Sequence, residues 1–197
     1  METTFSDYKE YRAGNQVLRV MHDENPISPR DCDNLGTMYC WHKRYALGDY
    51  KKTDFPPGFK LDKRKVIYLP VYIYDHGGIT VSTSPFQCLW DSGQVGWIFV
   101  EKERVRNEWG VKKISPKLKQ RVIGLLEGEV KTYDQFLRGD VYCFQIFESK
   151  VCEMCGHEKL EQIDTCGSFY GDDHQKNGMI DNLSEGLKKE VLEGERV

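Results

Sequence analysis

The stretch KVIYLPVYIYDHGGITVSTSPFQCLWDSGQVGWIFVEKERV, Lys65–Val105, decides the fold. Val66 to Tyr74 is a nearly unbroken run of β-branched and aromatic side chains, which suit a pleated, half-buried surface. Asp75-His76-Gly77-Gly78 is turn chemistry and Ile79 to Thr83 resumes the β-rich composition, so the two runs read as a hairpin. After Pro85 a polar loop passes through Asp91-Ser92-Gly93 to Gln94–Val100, a third strand that leads straight into the helical pattern Glu101–Trp109. Gly110 then ends that helix.

On the N-terminal side, Gln16 to Met21 reads as a short strand that joins one side of the sheet, after a polar segment carrying Phe5, Tyr8 and Tyr11. Asp23 to Asn34, with Pro26 and Pro29, is a loop by composition. Leu35 to His42 stays open between strand and helix. Ala46 to Lys63, with Pro56-Pro57 and Gly58 among charges, reads as an exposed connection. On the C-terminal side, Ser115-Pro116 is an N-cap followed by proline at the first helical position, and Leu118, Val122, Leu125 and Leu126 recur at helical spacing up to Gly128. Thr132 caps a second, shorter helix through Leu137, closed by Gly139. Val141–Phe147 is a strand with its return partner at Leu160–Thr165. Ile180, Leu183, Leu187 and Val191 give the tail a weak helical pattern.

These elements predict an α+β fold, a mainly antiparallel sheet packed against two or three helices. The expectation is one domain over residues 1–197, with a flexible N-terminal segment and a helical C-terminal tail. In that reading Val66–Tyr74, Ile79–Thr83, Gln94–Val100 and Val141–Phe147 share one sheet, covered by the stripe Leu118, Val122 and Leu125.

Composition narrows the function classes. The 197 residues are 39% hydrophobic and 30% charged, so the chain can bury a core. A net charge of −3 argues against a dedicated nucleic-acid binder, though it leaves nucleic acid open as a partner. No apolar run reaches the roughly 18 residues of a membrane span, and Met1 to Thr4 lacks the basic-then-apolar start of a secretory signal. Seven cysteines, an odd number spread along the chain, fit a reducing compartment, so the cytoplasm is the expected location.

Several blocks resemble a family of small, uncharacterised proteins carried by bacterial phages and other mobile elements. They are Asp33-Asn34-Leu35-Gly36-Thr37-Met38, Tyr74-Asp75-His76-Gly77-Gly78, Trp90-Asp91-Ser92-Gly93-Gln94-Val95-Gly96, Tyr133-Asp134-Gln135-Phe136-Leu137-Arg138-Gly139 and Phe169-Tyr170-Gly171-Asp172. The resemblance implies a genomic setting, and with it the cytoplasm of a bacterial host cell, and no mechanism. The tip Cys152-Glu153-Met154-Cys155-Gly156-His157 departs from that family's pattern.

Four sets of residues could carry chemistry. Cys152-x-x-Cys155-Gly156-His157 is half of a zinc site, because such a knuckle aims two thiolates at one tetrahedral ion. Cys166 and His174 are the nearest downstream donors to complete it, with Cys32, Cys40, His42 or His157 itself as other sources, and a redox dithiol or an ordinary tight turn are the alternatives. A regular hairpin centred between Met154 and Cys155, however, sets Cys166 opposite Cys143, over about 20 Å from the tip. Asp75, His76 and Asp91 are residue types for acid–base or metal-assisted hydrolysis. In a simple meander, though, Asp91 lies a strand length from Asp75 and His76, about 20 Å, and all three then only shape turns. Ser82, Thr83, Ser84, Ser92 and Cys88 sit in no nucleophile frame. The basic cluster Lys112, Lys113, Lys117, Lys119 and Arg121 reads as a solvated helix face. No catalytic residue is therefore assigned.

Two functions remain. The first is an accessory protein of a phage or mobile element that binds and antagonises a host protein or ribonucleoprotein, a defence system such as a CRISPR effector being the expected target. Asp75, His76, Trp90 and Asp91 are its candidate binding residues, and Trp41 and Trp97 are further aromatic anchors. The second is a metal-dependent hydrolase acting on a nucleotide or nucleic acid.

Overall fold

The computed structural model describes residues 8–50, 61–88 and 90–194. Phe5 and residues 51–60 of the expected connection Ala46–Lys63 lie outside the described residues; of the remainder, Leu47 is buried and not exposed as expected. The fold class is α+β, with two four-stranded antiparallel sheets and three α-helices among the described residues. The chain divides into two compact units, Ser28–Arg138 and a discontinuous one formed by residues 8–27 and 139–194.

The first unit is built on the opening stretch. Its strands are β3 (Thr37–Cys40), β4 (Val66–Asp75), β5 (Ile79–Ser82) and β6 (Ser92–Glu101), in the order β3-β6-β4-β5. In β4, Ile67, Val71 and Ile73 are buried while Tyr68, Tyr72 and Tyr74 are only partly so, the alternation of a strand with one face on a core. Leu35–His42, left open by composition, contributes β3, which pairs Tyr39 with Trp97. Gly96 makes this pairing possible: a Cβ there would lie 2.4 Å from the Tyr39 carbonyl oxygen and 2.7 Å from the Cys40 sulfur.

Helix α1 (Lys102–Glu108) follows β6 and is ended by Gly110 at φ 61°, a left-handed stop as expected. Helix α2 runs unbroken over 22 residues, Pro116–Leu137, and so replaces the two helices expected on either side of Gly128. Its start is as read: the Ser115 hydroxyl accepts from the Leu118 amide at 3.1 Å. Its buried stripe is Val122, Leu126, Val130 and Tyr133. Leu118 is partly buried, whereas Leu125, assigned to the stripe from the sequence, is 43% exposed. Four turns of apolar contact outweigh the roughly 1 kcal/mol that each of Gly124 and Gly128 costs a helix.

The second unit holds β1 (Tyr8–Ala13), β2 (Gln16–His22), β7 (Val141–Val151) and β8 (Glu158–Tyr170), in the order β1-β2-β7-β8. The expected single sheet is therefore two, because Val141–Phe147 pairs with β2 and β8 and shares no ladder with β4. Its core gathers Leu18, Val20, Phe144, Ile146 and Phe169 with the tail, where Ile180, Leu183, Leu187 and Val191 are all buried as their spacing implied. The tail forms a 3-10 turn, Met179–Asn182, and then α3 (Glu185–Gly194). The β7–β8 hairpin is centred between Met154 and Cys155, as read, since Val151 pairs with Glu158. One register shift, between Phe147 and Ile146, then sets Cys166 opposite Phe144 and not Cys143.

Candidate functional site

The turn after β4 and the loop before β6 meet, which corrects the distance expected from a simple meander. β6 pairs with β4 on the side away from β5, so its first residue, Ser92, lies opposite Tyr74. Asp91 is thereby delivered to the end of β4. The Asp75 amide donates to the Asp91 carbonyl at 2.9 Å, and the His76 Nδ1 lies 3.1 Å from Asp91 Oδ2. His76 is 70% exposed along its side chain, with the Tyr74 ring stacked against it at 6.0 Å.

The neighbouring groups are bonded to one another and order this corner of the unit. Asp75 accepts from the Tyr45 hydroxyl at 3.2 Å, with the Arg44 guanidinium 3.6 Å from its second oxygen. The His42 ring stacks on Tyr45 with centroids 5.0 Å apart, and its Nδ1 accepts from the Arg44 and Tyr45 amides. Sequence reasoning missed Arg44 and Tyr45 and weighed His42 only as a distant zinc ligand, since nothing local in Leu35–His42 or the loop after it points to the turn at Asp75.

The chemistry open to this corner is limited. A carboxylate on His76 Nδ1 holds the ring in one orientation and leaves Nε2 available as donor or acceptor. The Cys88 thiol donates to the same Asp91 oxygen at 3.8 Å, and the Ser92 hydroxyl donates to the Cys88 carbonyl. Ser82 accepts from the Ser84 amide. Among the described residues no candidate nucleophile is hydrogen-bonded to the His76 ring, the contact that would activate it. The adjoining cavity, lined by Tyr74, His76, Ile79 and Arg138 among others, is shallow at about 280 Å³. That is less than the roughly 300–1,000 Å³ typical of small-molecule sites.

Trp90 stands next to Asp91 and is 95% exposed, a large apolar side chain almost wholly in water. The other candidate anchors differ. Trp97 packs edge-on against Tyr68 at 5.3 Å and lies 6.4 Å from Trp41, with the Lys63 ammonium 4.9 Å from its ring. The basic residues at the start of α2 are exposed, and Arg121 lies over the Trp109 ring at 5.9 Å.

The cysteine knuckle lies in the discontinuous unit. Cys152 and Cys155 occupy the tip between β7 and β8, where the Gly156 amide donates to the Cys152 carbonyl at 2.8 Å and the Cys152 amide to the His157 carbonyl at 2.9 Å. Gly156 takes φ 68°, which closes the turn. Hydrogen bonds from the Cys155 and Met154 amides and from the Cys155 thiol pull the Cys152 thiol below its ordinary pKa. Cys166, opposite Phe144, is seven residues of strand from Val151, about 23 Å at 3.3 Å per residue. Among the described residues no three His, Cys, Asp or Glu side chains converge as a metal site. The donors at the tip suit zinc, and one chain brings two of them together.

Among the described residues no helix is long and apolar enough to cross a membrane. No protein-family model, curated protein or solved structure matches the chain.

Proposed function

We propose that the protein is an accessory protein of a phage or other mobile element that binds and antagonises a host macromolecule, a bacterial defence system such as a CRISPR effector being the target class. The observation that carries the binding reading is Trp90, 95% exposed beside an ordered polar cluster. A bare tryptophan flanked by fixed hydrogen-bonding groups has the anatomy of a binding hot spot, an apolar anchor ringed by polar residues that exclude water once covered. His76, Asp91 and the Arg44–Asp75 pair supply that rim. The phage setting rests on the resemblance of the five sequence blocks.

The test begins with recovery of the partner on tagged protein from the bacterial host, followed by affinity measurements on the pure pair. Trp90→Ala weakens binding by about 2 kcal/mol, or roughly thirtyfold. Antagonism is complete at a fixed ratio of protein to partner. Trace protein that acts by many turnovers, with Trp90→Ala as active as wild type, sinks the proposal.

The contact between His76 and Asp91 favours a second reading, a metal-dependent hydrolase acting on a nucleotide or nucleic acid. In it His76 is a general acid or base oriented by Asp91, and its loss costs 10²-fold or more in turnover. His76→Gln decides between the two: it abolishes turnover if the protein is a hydrolase and leaves antagonism within a few-fold if the protein is a binder.

A further inference from the structure

The β7–β8 hairpin outlasts the core it is anchored in. On β7 the last buried residue is Ile146, and on β8 none is buried from Glu158 to Gly167. The arm ends in Met154, 96% exposed, between two cysteines. Its tip is nonetheless closed by the two backbone hydrogen bonds of the knuckle and by the left-handed Gly156.

A tetrahedral zinc ion wants four nitrogen or sulfur ligands at about 2.0–2.3 Å. The strand register keeps Cys166 about 23 Å from the tip, and no third donor in the described residues joins Cys152 and Cys155. A second copy of the chain offers the same two thiols on an equally exposed tip. We infer that two copies join tip to tip through one zinc ion held by Cys152 and Cys155 of each, a four-thiolate site that neither chain can form alone.

The arrangement is two-fold symmetric, so each tip is its own complement and assembly stops at a dimer. The four thiols release four protons as the ion binds, leaving a centre of net charge −2. Lys159, on the second rung from the tip, opposes that charge and Glu153 adds to it. The cross-strand partner of Lys159, Lys150, is held by Glu148 and Glu161 at 3.1 and 3.0 Å, and Glu158 by Arg12 at 2.7 Å. Met154 of each copy, in water on the single chain, lies against the other.

Reduced full-length protein is titrated with zinc chloride while mass is followed by light scattering. Uptake saturates at one zinc per two chains, the mass doubles in step, and a chelator reverses both. Cobalt in place of zinc gives the absorption of a tetrahedral four-thiolate site. Cys152→Ser with Cys155→Ser lowers zinc affinity at least 100-fold and stays monomeric. Since the tip carries no buried residue, that variant keeps the wild-type circular dichroism. His157→Ala and Cys166→Ser retain the half-stoichiometric site. Saturation at one zinc per chain without a change of mass overturns the inference. So does zinc uptake that survives the double variant, uptake lost with His157→Ala or Cys166→Ser, or no uptake at all.

Discussion

Arg30 is the residue on which the first unit's loops converge. Its side chain is 4% exposed and its guanidinium meets Asp49 at 2.6 and 2.7 Å, Glu129 at 2.9 Å and the Gly36 carbonyl at 2.8 Å. Both carboxylates in turn accept backbone amides, Glu129 from Leu35 and Gly36 and Asp49 from Met38. Arg30→Met leaves two carboxylates without their cation and lowers stability by about 3–5 kcal/mol, read from urea unfolding. A loss under 1 kcal/mol means that water reaches the site and compensates. Cys40 lies near these charges. Burial, and secondarily the Asp49 carboxylate, push its thiol up to about 12. A folded-state pKa above the unfolded one gives stability that is complete below about pH 9 and lost as pH rises toward 12, at up to about 1.4 kcal/mol per pH unit. Cys143 and, from about pH 10, Tyr133 are raised as well and add to the same fall. Urea midpoints from pH 8 to 10 therefore decline less steeply in Cys40→Ala than in wild type. Equal slopes contradict the assignment to Cys40.

At the scale of elements, α2 sets the sharpest comparison. Leu126 is fully buried and Leu125 is 43% exposed, although the two are adjacent and chemically identical. Leu126→Ala costs about 2–5 kcal/mol in unfolding free energy, whereas Leu125→Ala stays within about 0.5 kcal/mol. Gly124 and Gly128 have nothing within 4 Å of a would-be Cβ, so Gly124→Ala and Gly128→Ala each raise stability by about 0.5–1 kcal/mol. A thermal melt that shifts downward for both overturns that reading. Gly96→Ala acts in the opposite direction, because its methyl would strike the Tyr39 carbonyl.

The same elements mark what the sequence could disclose. The strands of the opening stretch, β2, the β7–β8 pair, the start of α2 and the end of α1 were legible because they depend on neighbours in the chain: β-branched runs, the Ser115 cap, the stop at Gly110. β1 and β3 were not read as strands, and α2 runs on past Gly128 to Leu137. Pairing across the chain was not legible. Nothing in Thr83–Asp91 states that the loop returns to the end of β4, and that one fact brings His76 within 3.1 Å of Asp91. The helix register failed at Leu125 for a similar reason: two adjacent leucines fit a stripe about equally well until Val130 and Tyr133 extend it.

For the whole molecule the telling feature is that Ser28–Arg138 lies between two parts of the other unit. Asn15 and Glu148, joined by a hydrogen bond at 3.1 Å, are 133 positions apart in the chain. During synthesis at about 5–20 residues per second, β1 and β2 leave the ribosome on the order of ten seconds before β7 exists to cover them. A lone two-stranded hairpin is marginal in water at best, so the start of the chain emerges with Leu18 and Val20 uncovered. The intervening unit needs neither end of the chain for its own sheet and can complete it in that interval. Nascent chains halted shortly after Arg138 is released from the ribosome therefore carry one finished sheet and one waiting hairpin, which makes that hairpin the segment a chaperone is called on to shield.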